Sequence, residues 1–307
     1  VSEDDQIRKF REQFLPAEGL TMSTFQRYWS SLVYAEEFQT DMDLQEFDMY
    51  DVQLQKTGRT YQLAVPGIAE NKPLVLKGDR IKIYPHSKPE NVSYRGTVRA
   101  IEGTTVLISV YGKFPYDSAG LYDVQFTLNP IQFQRMIQAL NVKEKRSNVL
   151  FPRVEDMEGM SKVAQSAEEQ EIVTRLPPGS PPFIIFGPPG TGKTVTIVEC
   201  ISQLLDNDQV RVLACAPSNP ASDVIAQRLI DLRGLQPAQL LRLNDRGRAH
   251  EELPEDLIRY SVREDDQFAV PSLEKLNSFK VIIATCSSAS LLFGQGVDPG
   301  AFTHIFV

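Results

Sequence analysis

The chain has 307 residues, of which 42% are hydrophobic and 23% are charged, and this composition is typical of a globular protein with room for two domain cores. No apolar run approaches the roughly 20 residues of a membrane-spanning helix, and no signal-peptide pattern opens the sequence, so we expect neither membrane insertion nor secretion. The three cysteines are scattered without a CxxC pair, which argues against a disulfide framework or a zinc site. A reducing interior follows, and we expect a cytoplasmic location with the nucleus as the alternative. The three histidines are also dispersed, which favours surface or structural roles over metal binding.

The net charge of −8 is concentrated at the amino terminus. Residues 1–50 hold eleven acidic and four basic residues, whereas residues 51–130 hold ten basic and seven acidic residues. An acidic first segment favours basic protein partners. The weakly basic middle is compatible with phosphate contacts, and a mixed solvated surface explains it equally well.

Residues 1–45 are predicted to form an acidic helical segment. Ile7, Phe10 and Phe14 have helical spacing, and Ser23 or Thr24 is a suitable cap for a second helix that runs through Phe38. This segment precedes any pattern that is typical of strands.

Residues 46–126 change to short strands of period two, which predict a small β-barrel or sandwich. The segments Thr57–Arg59 and Glu102–Thr104 are predicted hairpin turns. The clearest predicted strands are Tyr61–Val65, Arg80–Tyr84, Val98–Ile101 and Val106–Val110.

Residues 127–165 are predicted to form a helical stalk and a linker. Asn129 and Pro130 suit the start of a helix, because asparagine caps and proline is tolerated in the first turn. A polar stretch follows this helix. From about residue 166 to residue 307, strands alternate with helices, which indicates a parallel sheet covered by helices. The predicted strands are Phe183–Phe186, Arg211–Ala216, Leu240–Leu243, Lys280–Thr285 and His304–Val307.

The octapeptide GPPGTGKT fits the phosphate-binding pattern GxxxxGK[ST] and lies between a predicted strand and a predicted helix. Its glycines allow backbone N–H groups to converge on an anion at a helix N-terminus. Lys193 is then expected to reach the β- and γ-phosphates of a nucleotide, and the Thr194 hydroxyl to bind Mg²⁺. The loop residues that complete the predicted cradle are Gly187, Pro188, Pro189, Gly190, Thr191 and Gly192.

Two further segments follow predicted strands and open predicted helices, namely residues 216–223 and residues 282–290. Their small hydroxyls, amide and helix N–H groups suit a sugar-phosphate backbone and carry no information about bases. Taken alone, each segment is more typical of an ordinary helix cap than of a ligand site. Their position at one sheet edge beside a P-loop favours a binding role.

The segments FGPPGTGKT, APSNPASD and VIIATCSSAS, in this order, resemble motifs I, Ia and Ib of Upf-like superfamily 1 helicases. The resemblance is greatest to the Moloney leukaemia virus 10-like RNA helicases, the group that includes Armitage and the plant silencing-defective helicase. Residues 63–73, 77–79 and 124–129 are similar to the barrel and stalk of that family. The similarity covers about residues 25–307.

This resemblance implies an α/β fold, in which a RecA-like P-loop sheet is preceded by a small β-barrel and a helical stalk. It implies an ATP- and Mg²⁺-dependent helicase that moves 5′ to 3′ on single-stranded RNA, in RNA silencing or messenger-RNA turnover. Ribonucleoprotein or silencing-complex proteins are the implied partners, and the oligomeric state stays open. The residues implied to hold RNA are Pro217, Ser218, Asn219 and Thr285.

The family also reads adenine with a glutamine shortly before the P-loop. Gln170 and Gln165 are the candidates in this sequence, although the asparagine expected ahead of that glutamine is missing. An exposed position on a helix explains either glutamine equally well. The choice between them stays open.

Residues 302–307 resemble the strand that delivers the Asp-Glu pair of the family, and the sequence ends at Val307 before such a pair. The carboxylates of that pair anchor the Mg²⁺ shell and position the attacking water. In the family, a second RecA-like domain supplies arginine contacts to the γ-phosphate, and that domain is not among these 307 residues. We therefore expect these 307 residues alone to bind nucleotide without appreciable turnover.

Three other interpretations remain open at this stage. A DNA helicase of the same superfamily would share the backbone contacts, because proteins distinguish RNA mainly through its 2′-OH. A protein-docking module would use the acidic first 50 residues. An unrelated P-loop kinase or AAA-type ATPase explains neither of the two segments that follow the P-loop.

Overall fold

The computed structural model describes residues 3–66, 68, 75, 77–89, 92–141, 150–151, 155, 181–188, 190–265 and 267–307. The chain divides into two compact units, Val1–Val142 and Lys143–Val307. Across the described ranges, no helix combines the length and the apolar character that crossing a membrane requires.

The first unit begins with helices α1 (Glu3–Phe14) and α2 (Phe25–Gln45) and ends with helix α3 (Ile131–Asn141), which packs against α2. Helix α2 continues seven residues beyond the predicted Phe38, because its last turn buries Leu44 in the core of the unit. Thr24 is the N-cap residue, but its hydroxyl donates to the Gly19 carbonyl, 2.6 Å away, and makes no cap hydrogen bond.

Seven strands of this unit form one curled antiparallel sheet in the order β1-β7-β4-β5-β6-β3-β2. Side chains alternate between core and solvent, as on β7, where Tyr122, Val124 and Phe126 are buried. The predicted barrel-type domain is confirmed, and so are the hairpin turns at Gly58 and Gly103. The strands are β1 (Met49–Val52), β2 (Gln55–Thr57), β3 (Thr60–Ala64), β4 (Arg80–Pro85), β5 (Tyr94–Glu102), β6 (Thr105–Val110) and β7 (Tyr122–Thr127).

The second unit contains a parallel sheet with the order β13-β8-β12-β9 among its described residues. Its strands are β8 (Val212–Ala216), β9 (Leu240–Arg242), β12 (Val281–Thr285) and β13 (His304–Phe306). The short strands β10 (Arg263–Glu264) and β11 (Gln267–Phe268) form a separate hairpin. The helices are α4 (Lys193–Leu204), α5 (Asn219–Arg233), α6 (Glu255–Ile258), α7 (Leu273–Ser278) and α8 (Cys286–Gly294), with a 3₁₀ turn at His250–Glu252.

Both faces of this parallel sheet are buried. Successive residues of β8 belong to different cores, with Val212 and Ala214 on one face and Leu213 and Cys215 on the other. A sheet covered on both faces requires strands that are apolar at every position, which explains the continuous apolar runs. The predicted α/β architecture is confirmed.

The predicted strand Phe183–Phe186 is wrong, because residues 181–188 form no strand in the structure. Ile184 and Phe186 are 80% and 88% exposed. An apolar sequence favours a strand only where a neighbour supplies ladder hydrogen bonds. Prolines 181, 182 and 188 border the segment and lack the N–H donors that a ladder needs.

Candidate functional site

The P-loop lies directly before helix α4. Gly190 and Gly192 have φ angles of 84° and 86°, a left-handed conformation that favours glycine, and Gly192 is the N-cap of the helix. Thr196 donates its N–H to the Gly192 carbonyl, 3.0 Å away, and this is the first turn of the helix. The N–H groups of residues 193–195 are therefore not used by the helix, and they form an anion-binding end.

The Lys193 ammonium lies over the backbone of its own loop. Its Nζ donates to the carbonyl oxygens of Gly187 at 2.6 Å and Pro188 at 2.8 Å. The Thr191 hydroxyl donates to the same Pro188 oxygen at 2.9 Å, whereas Thr194 is exposed. The loop thus places one cation and one free hydroxyl at the start of a helix. Pro189 lies outside the described residues.

We expect replacement of Gly192 with alanine to destabilise the start of α4 by about 1–2 kcal/mol, because a Cβ disfavours the left-handed conformation. No heavy atom lies within 4 Å of the position that the new Cβ would occupy, so the cost is one of backbone conformation. Gly294→Ala is the matched control, since its Cβ is also unobstructed and its φ is not positive. Urea denaturation measures both, and equal stabilities of the two variants would contradict the assignment.

A groove of about 1920 Å³ connects the P-loop with the segment at residues 216–223. Lys193 and Thr194 of the P-loop line it, and so do Pro217 and Pro220 of that segment. Thr285 lies at the same sheet edge, because β12 pairs with β8 in a register that sets it opposite Ala216. Among the residues predicted to hold RNA, Pro217 therefore shares this groove with Lys193 and Thr194, and Thr285 lies at the carboxyl end of the strand that neighbours β8.

Ser218 and Thr285 both act as helix N-caps. The Ser218 hydroxyl accepts from the Ala221 N–H at 3.4 Å at the start of α5. The Thr285 hydroxyl accepts from the Ser288 N–H at 3.0 Å and donates to the Ser288 hydroxyl at 2.9 Å. Pro217 and Ser218 are exposed, whereas Thr285 is only 9% exposed. Within the described part of the chain, the Ser218 hydroxyl therefore donates to no partner, while the Thr285 side chain is already engaged.

A buried polar cluster lies beside the segment predicted to hold RNA, and this cluster was not predicted. Arg242, at the end of β9, is fully buried, and its Nε donates to the Asp223 carboxylate at 2.8 Å. The same carboxylate accepts from two nitrogens of Arg248, at 3.1 and 2.6 Å. Burial lowers the pKa of the Arg242 guanidinium, and the neighbouring Asp223 charge opposes this effect. An arginine inside the apolar run Leu240–Leu243 is the signal in the sequence from which such a partner could have been inferred.

Asn219 joins this cluster through its side chain. Arg242 Nη2 donates to Asn219 Oδ1 at 3.0 Å, and Arg242 Nη1 donates to the Leu243 carbonyl at 2.6 Å. Ser222 lies three residues after Asn219 on α5, and its hydroxyl donates to the Ala284 carbonyl of β12 at 2.9 Å. The beginning of α5 is therefore tied to two strands of the sheet.

In the first unit, His86 lies between two aspartates at the sheet surface. Its Nε2 is 2.9 Å from Asp123 Oδ1, and its Nδ1 is 3.7 Å from Asp51 Oδ1. These three side chains offer possible metal ligands within 4.8 Å of one another. They are largely exposed, and the hydrogen bond and ion pair are sufficient to account for the cluster.

The pKa of His86 is expected to lie above its usual value, because the hydrogen bond to Asp123 favours the protonated ring. Burial raises the pKa of the Asp123 carboxyl, but the hydrogen bonds from His86 and the Asp51 N–H outweigh it and leave this pKa lowered. The interaction therefore stabilises the fold most between the ordinary pKa values of aspartate and histidine. This contribution is lost as pH rises through the raised pKa of His86, and also as pH falls through the lowered pKa of Asp123.

An NMR titration of the imidazole signals measures this pKa, with Asp123→Asn as the variant that should return it toward the ordinary value. His304 is an internal contrast, because burial lowers its pKa. A His86 pKa at or below that of an ordinary histidine, unchanged by Asp123→Asn, would contradict the interaction.

The two candidate adenine-reading residues, Gln165 and Gln170, lie outside the described residues. The choice between them therefore stays a prediction.

The fold and site together define a P-loop α/β unit that is joined in one chain to a curled β domain. A family model described as "AAA domain" matches residues 164–268. A second model, described as "Helicase MOV-10, beta-barrel domain", matches residues 45–126. The two models thus match one part of each unit of the chain.

Curated proteins named as MOV-10 or as related RNA helicases are also similar to this chain. The chain is 31% identical over 322 residues to the MOV-10 protein of Gallus gallus, and this match covers 96% of the chain and 33% of that protein. It is 29% identical to RNA helicase Mov10l1 of Homo sapiens, with 99% of this chain and 32% of that protein covered. For the armi protein of Drosophila melanogaster the identity is 23%, with 94% and 28% covered. The homologues of this chain therefore include MOV-10, Mov10l1 and armi proteins, and the chain spans about a third of the length of the first two.

Proposed function

We propose that this chain is the part of an ATP-dependent RNA helicase that binds ATP with Mg²⁺ and holds single-stranded RNA. The single observation that carries the proposal is the groove that Lys193 and Thr194 share with Pro217 and Pro220. A phosphate site and an RNA site that border one groove lie close enough to influence each other.

The residues of the P-loop fit ATP and Mg²⁺. The free N–H groups at the start of α4 and the Lys193 ammonium suit phosphate oxygens, and the exposed Thr194 hydroxyl suits Mg²⁺. Phosphates would replace the Gly187 and Pro188 carbonyls as acceptors for Lys193. When bound, ATP supplies the energy of phosphoryl transfer, and the residues of this chain bind and orient it.

The RNA site is proposed at the carboxyl ends of β8 and β12. Pro217 and Ser218 are exposed, and together with Asn219 they offer a hydroxyl and an amide to a strand. Such groups suit contacts to phosphates and riboses, which carry no information about the bases. Thr285 contributes by shaping the neighbouring helix start, since its side chain is buried. Such contacts give affinity for single strands without sequence preference.

For the whole protein we propose movement 5′ to 3′ on RNA in silencing or messenger-RNA turnover, in the cytoplasm, within ribonucleoprotein complexes. The similarity to the MOV-10, Mov10l1 and armi proteins supports this proposal. The acidic first helices and the weakly basic barrel are compatible with separate protein and RNA contacts.

The test measures binding of labelled single-stranded RNA and DNA of identical sequence to the 307-residue chain, with and without a non-hydrolysable ATP analogue and Mg²⁺. We expect RNA to bind more tightly than DNA, with a salt dependence of about −0.7 in the logarithmic slope for each phosphate that a lysine or arginine neutralises. Equal or tighter binding of DNA would favour a DNA helicase of the same superfamily. Absence of both RNA and nucleotide binding would contradict the proposal.

A further inference from the structure

Asn219 and Arg242 form a hydrogen bond whose polarity is set by chemistry. Arginine has donors and no acceptor, so the Asn219 atom that faces Arg242 Nη2 at 3.0 Å has to be its carbonyl oxygen. The two atoms of an asparagine amide point in different directions. The amide nitrogen of Asn219 therefore faces away from Arg242, and it has no hydrogen-bond partner among the described residues.

We propose that Arg242 is a positioning residue that orients Asn219 so that its amide N–H groups donate to RNA phosphate or ribose oxygens. The assignment rests on the proposed RNA site at the start of α5. Phosphate and ribose oxygens are acceptors, so an amide that presents N–H groups matches them, and an amide turned the other way would repel a phosphate.

The guanidinium that orients Asn219 is itself held firmly. Asp223 lies one helical turn after Asn219, so the carboxylate and the amide meet the same side chain from one face of α5. Arg248 holds that carboxylate at two points, and its Nη1 also donates to Asn244 Oδ1 at 2.7 Å. Because Arg242 is fully buried and bonded at three nitrogens, the Asn219 amide has little freedom to turn over.

The charge of this cluster also favours an anionic ligand. Two guanidiniums share the single Asp223 carboxylate, so these three side chains together carry one net positive charge. They lie at the N-terminal end of α5, where the helix dipole adds positive potential. Phosphate binding at Asn219 is therefore supported by both hydrogen-bond polarity and charge.

A different role for Asn219 would be only to satisfy the buried Arg242. Asn219→Asp separates the two roles, because aspartate keeps an acceptor for Arg242 and removes the donors. If Asn219 is merely structural, this variant should fold and bind RNA as the wild type does. If our assignment holds, it should fold normally and lose RNA affinity about tenfold to a hundredfold.

The salt dependence gives a second measurement that a structural role would not change. Asn219→Asp places a negative charge beside the phosphate and should reduce the magnitude of the logarithmic salt slope for single-stranded RNA, because the slope depends on charged contacts. Asn219→Ala removes only uncharged donors, so it should weaken RNA binding, by less than Asn219→Asp does, and keep the salt slope of the wild type.

A double-mutant cycle connects Arg242 to this contact. Arg242→Gln should weaken RNA binding in the wild-type chain but should have little further effect when Asn219 is already alanine. Arg233→Gln is the matched control, since Arg233 lies on α5, as Asn219 does, and pairs with exposed Asp206 at the surface. It should bind RNA as the wild type does.

The outcomes separate this assignment from the proposed function. If the wild type does not bind RNA, the proposed function fails and the assignment fails with it. If the wild type binds RNA and Asn219→Asp binds equally well, only the assignment is overturned. Should Arg242→Gln fail to fold, the comparison of Asn219→Asp with Asn219→Ala still decides, because neither variant removes the buried arginine.

Discussion

Replacement of Lys193 with alanine is expected to weaken binding of ATP with Mg²⁺ by about 30- to 150-fold, from the roughly 2–3 kcal/mol of a hydrogen bond to a charged group. The Lys193 ammonium is the side-chain cation of the P-loop, and it is within hydrogen-bond distance of the loop backbone at the start of α4. Charge-assisted hydrogen bonds to phosphate oxygens are about twice as strong as neutral ones. Titration with a fluorescent ATP analogue measures the change.

The stability of the chain should change little in this variant. Lys193 donates only to carbonyl oxygens of its own loop, and no carboxylate pairs with it in the described residues. Lys280→Ala is the matched control, because its ammonium pairs with Asp208 at the surface of the same unit. That control should bind nucleotide as the wild type does. A Lys193→Ala chain with wild-type affinity would show that the loop does not hold phosphate.

The strands of the first unit could be predicted from the sequence because each has one face in the core and one in solvent. On β4, for example, Ile81 and Ile83 are buried, and Arg80 and Lys82 between them are exposed. This alternation is local, so a single strand reveals it without knowledge of its neighbours. The hairpin turns were equally local, since Gly58 and Gly103 suit tight reversals.

The segment before the P-loop could not be predicted in the same way. Phe183–Phe186 has a suitable composition for a strand, but strand formation depends on hydrogen bonds to a partner that is distant in sequence. The prolines on both sides are visible in the sequence, and they disfavour a strand because they cannot donate hydrogen bonds to a neighbouring strand. Composition alone overestimated the regular structure at this point.

The candidate site was predicted in part. The P-loop and the segments at Ser218 and Thr285 follow from motifs that lie within a few consecutive residues. The partners of Asn219 do not, because Arg242 meets it only after β9 has paired with β12 and α5 has packed against the sheet. A buried arginine predicts that some carboxylate is near, but the fold decides that the carboxylate is Asp223.

Replacement of Asp223 with asparagine is expected to destabilise the second unit by about 3–5 kcal/mol, because it leaves two buried guanidiniums without a compensating charge. Asparagine has nearly the same shape, so the packing of α5 is preserved and the effect is electrostatic. Its one oxygen can accept from Arg242 or Arg248 at full strength, but its amide hydrogens would face the other guanidinium.

The matched control is Asp206→Asn, which removes an ion pair with Arg233, a residue that lies on α5 as Asp223 does. Those partners are 69% and 31% exposed, whereas the side chains of Asp223 and Arg242 are 7% and 0% exposed. An exposed pair contributes about 0–1 kcal/mol, so this control should be nearly neutral. Far-UV circular dichroism during urea denaturation follows both variants, and fluorescence of Trp29 reports separately on the first unit. Equal stabilities of the two variants would mean that the buried carboxylate does not hold the guanidiniums, and the orientation of Asn219 would then need another cause.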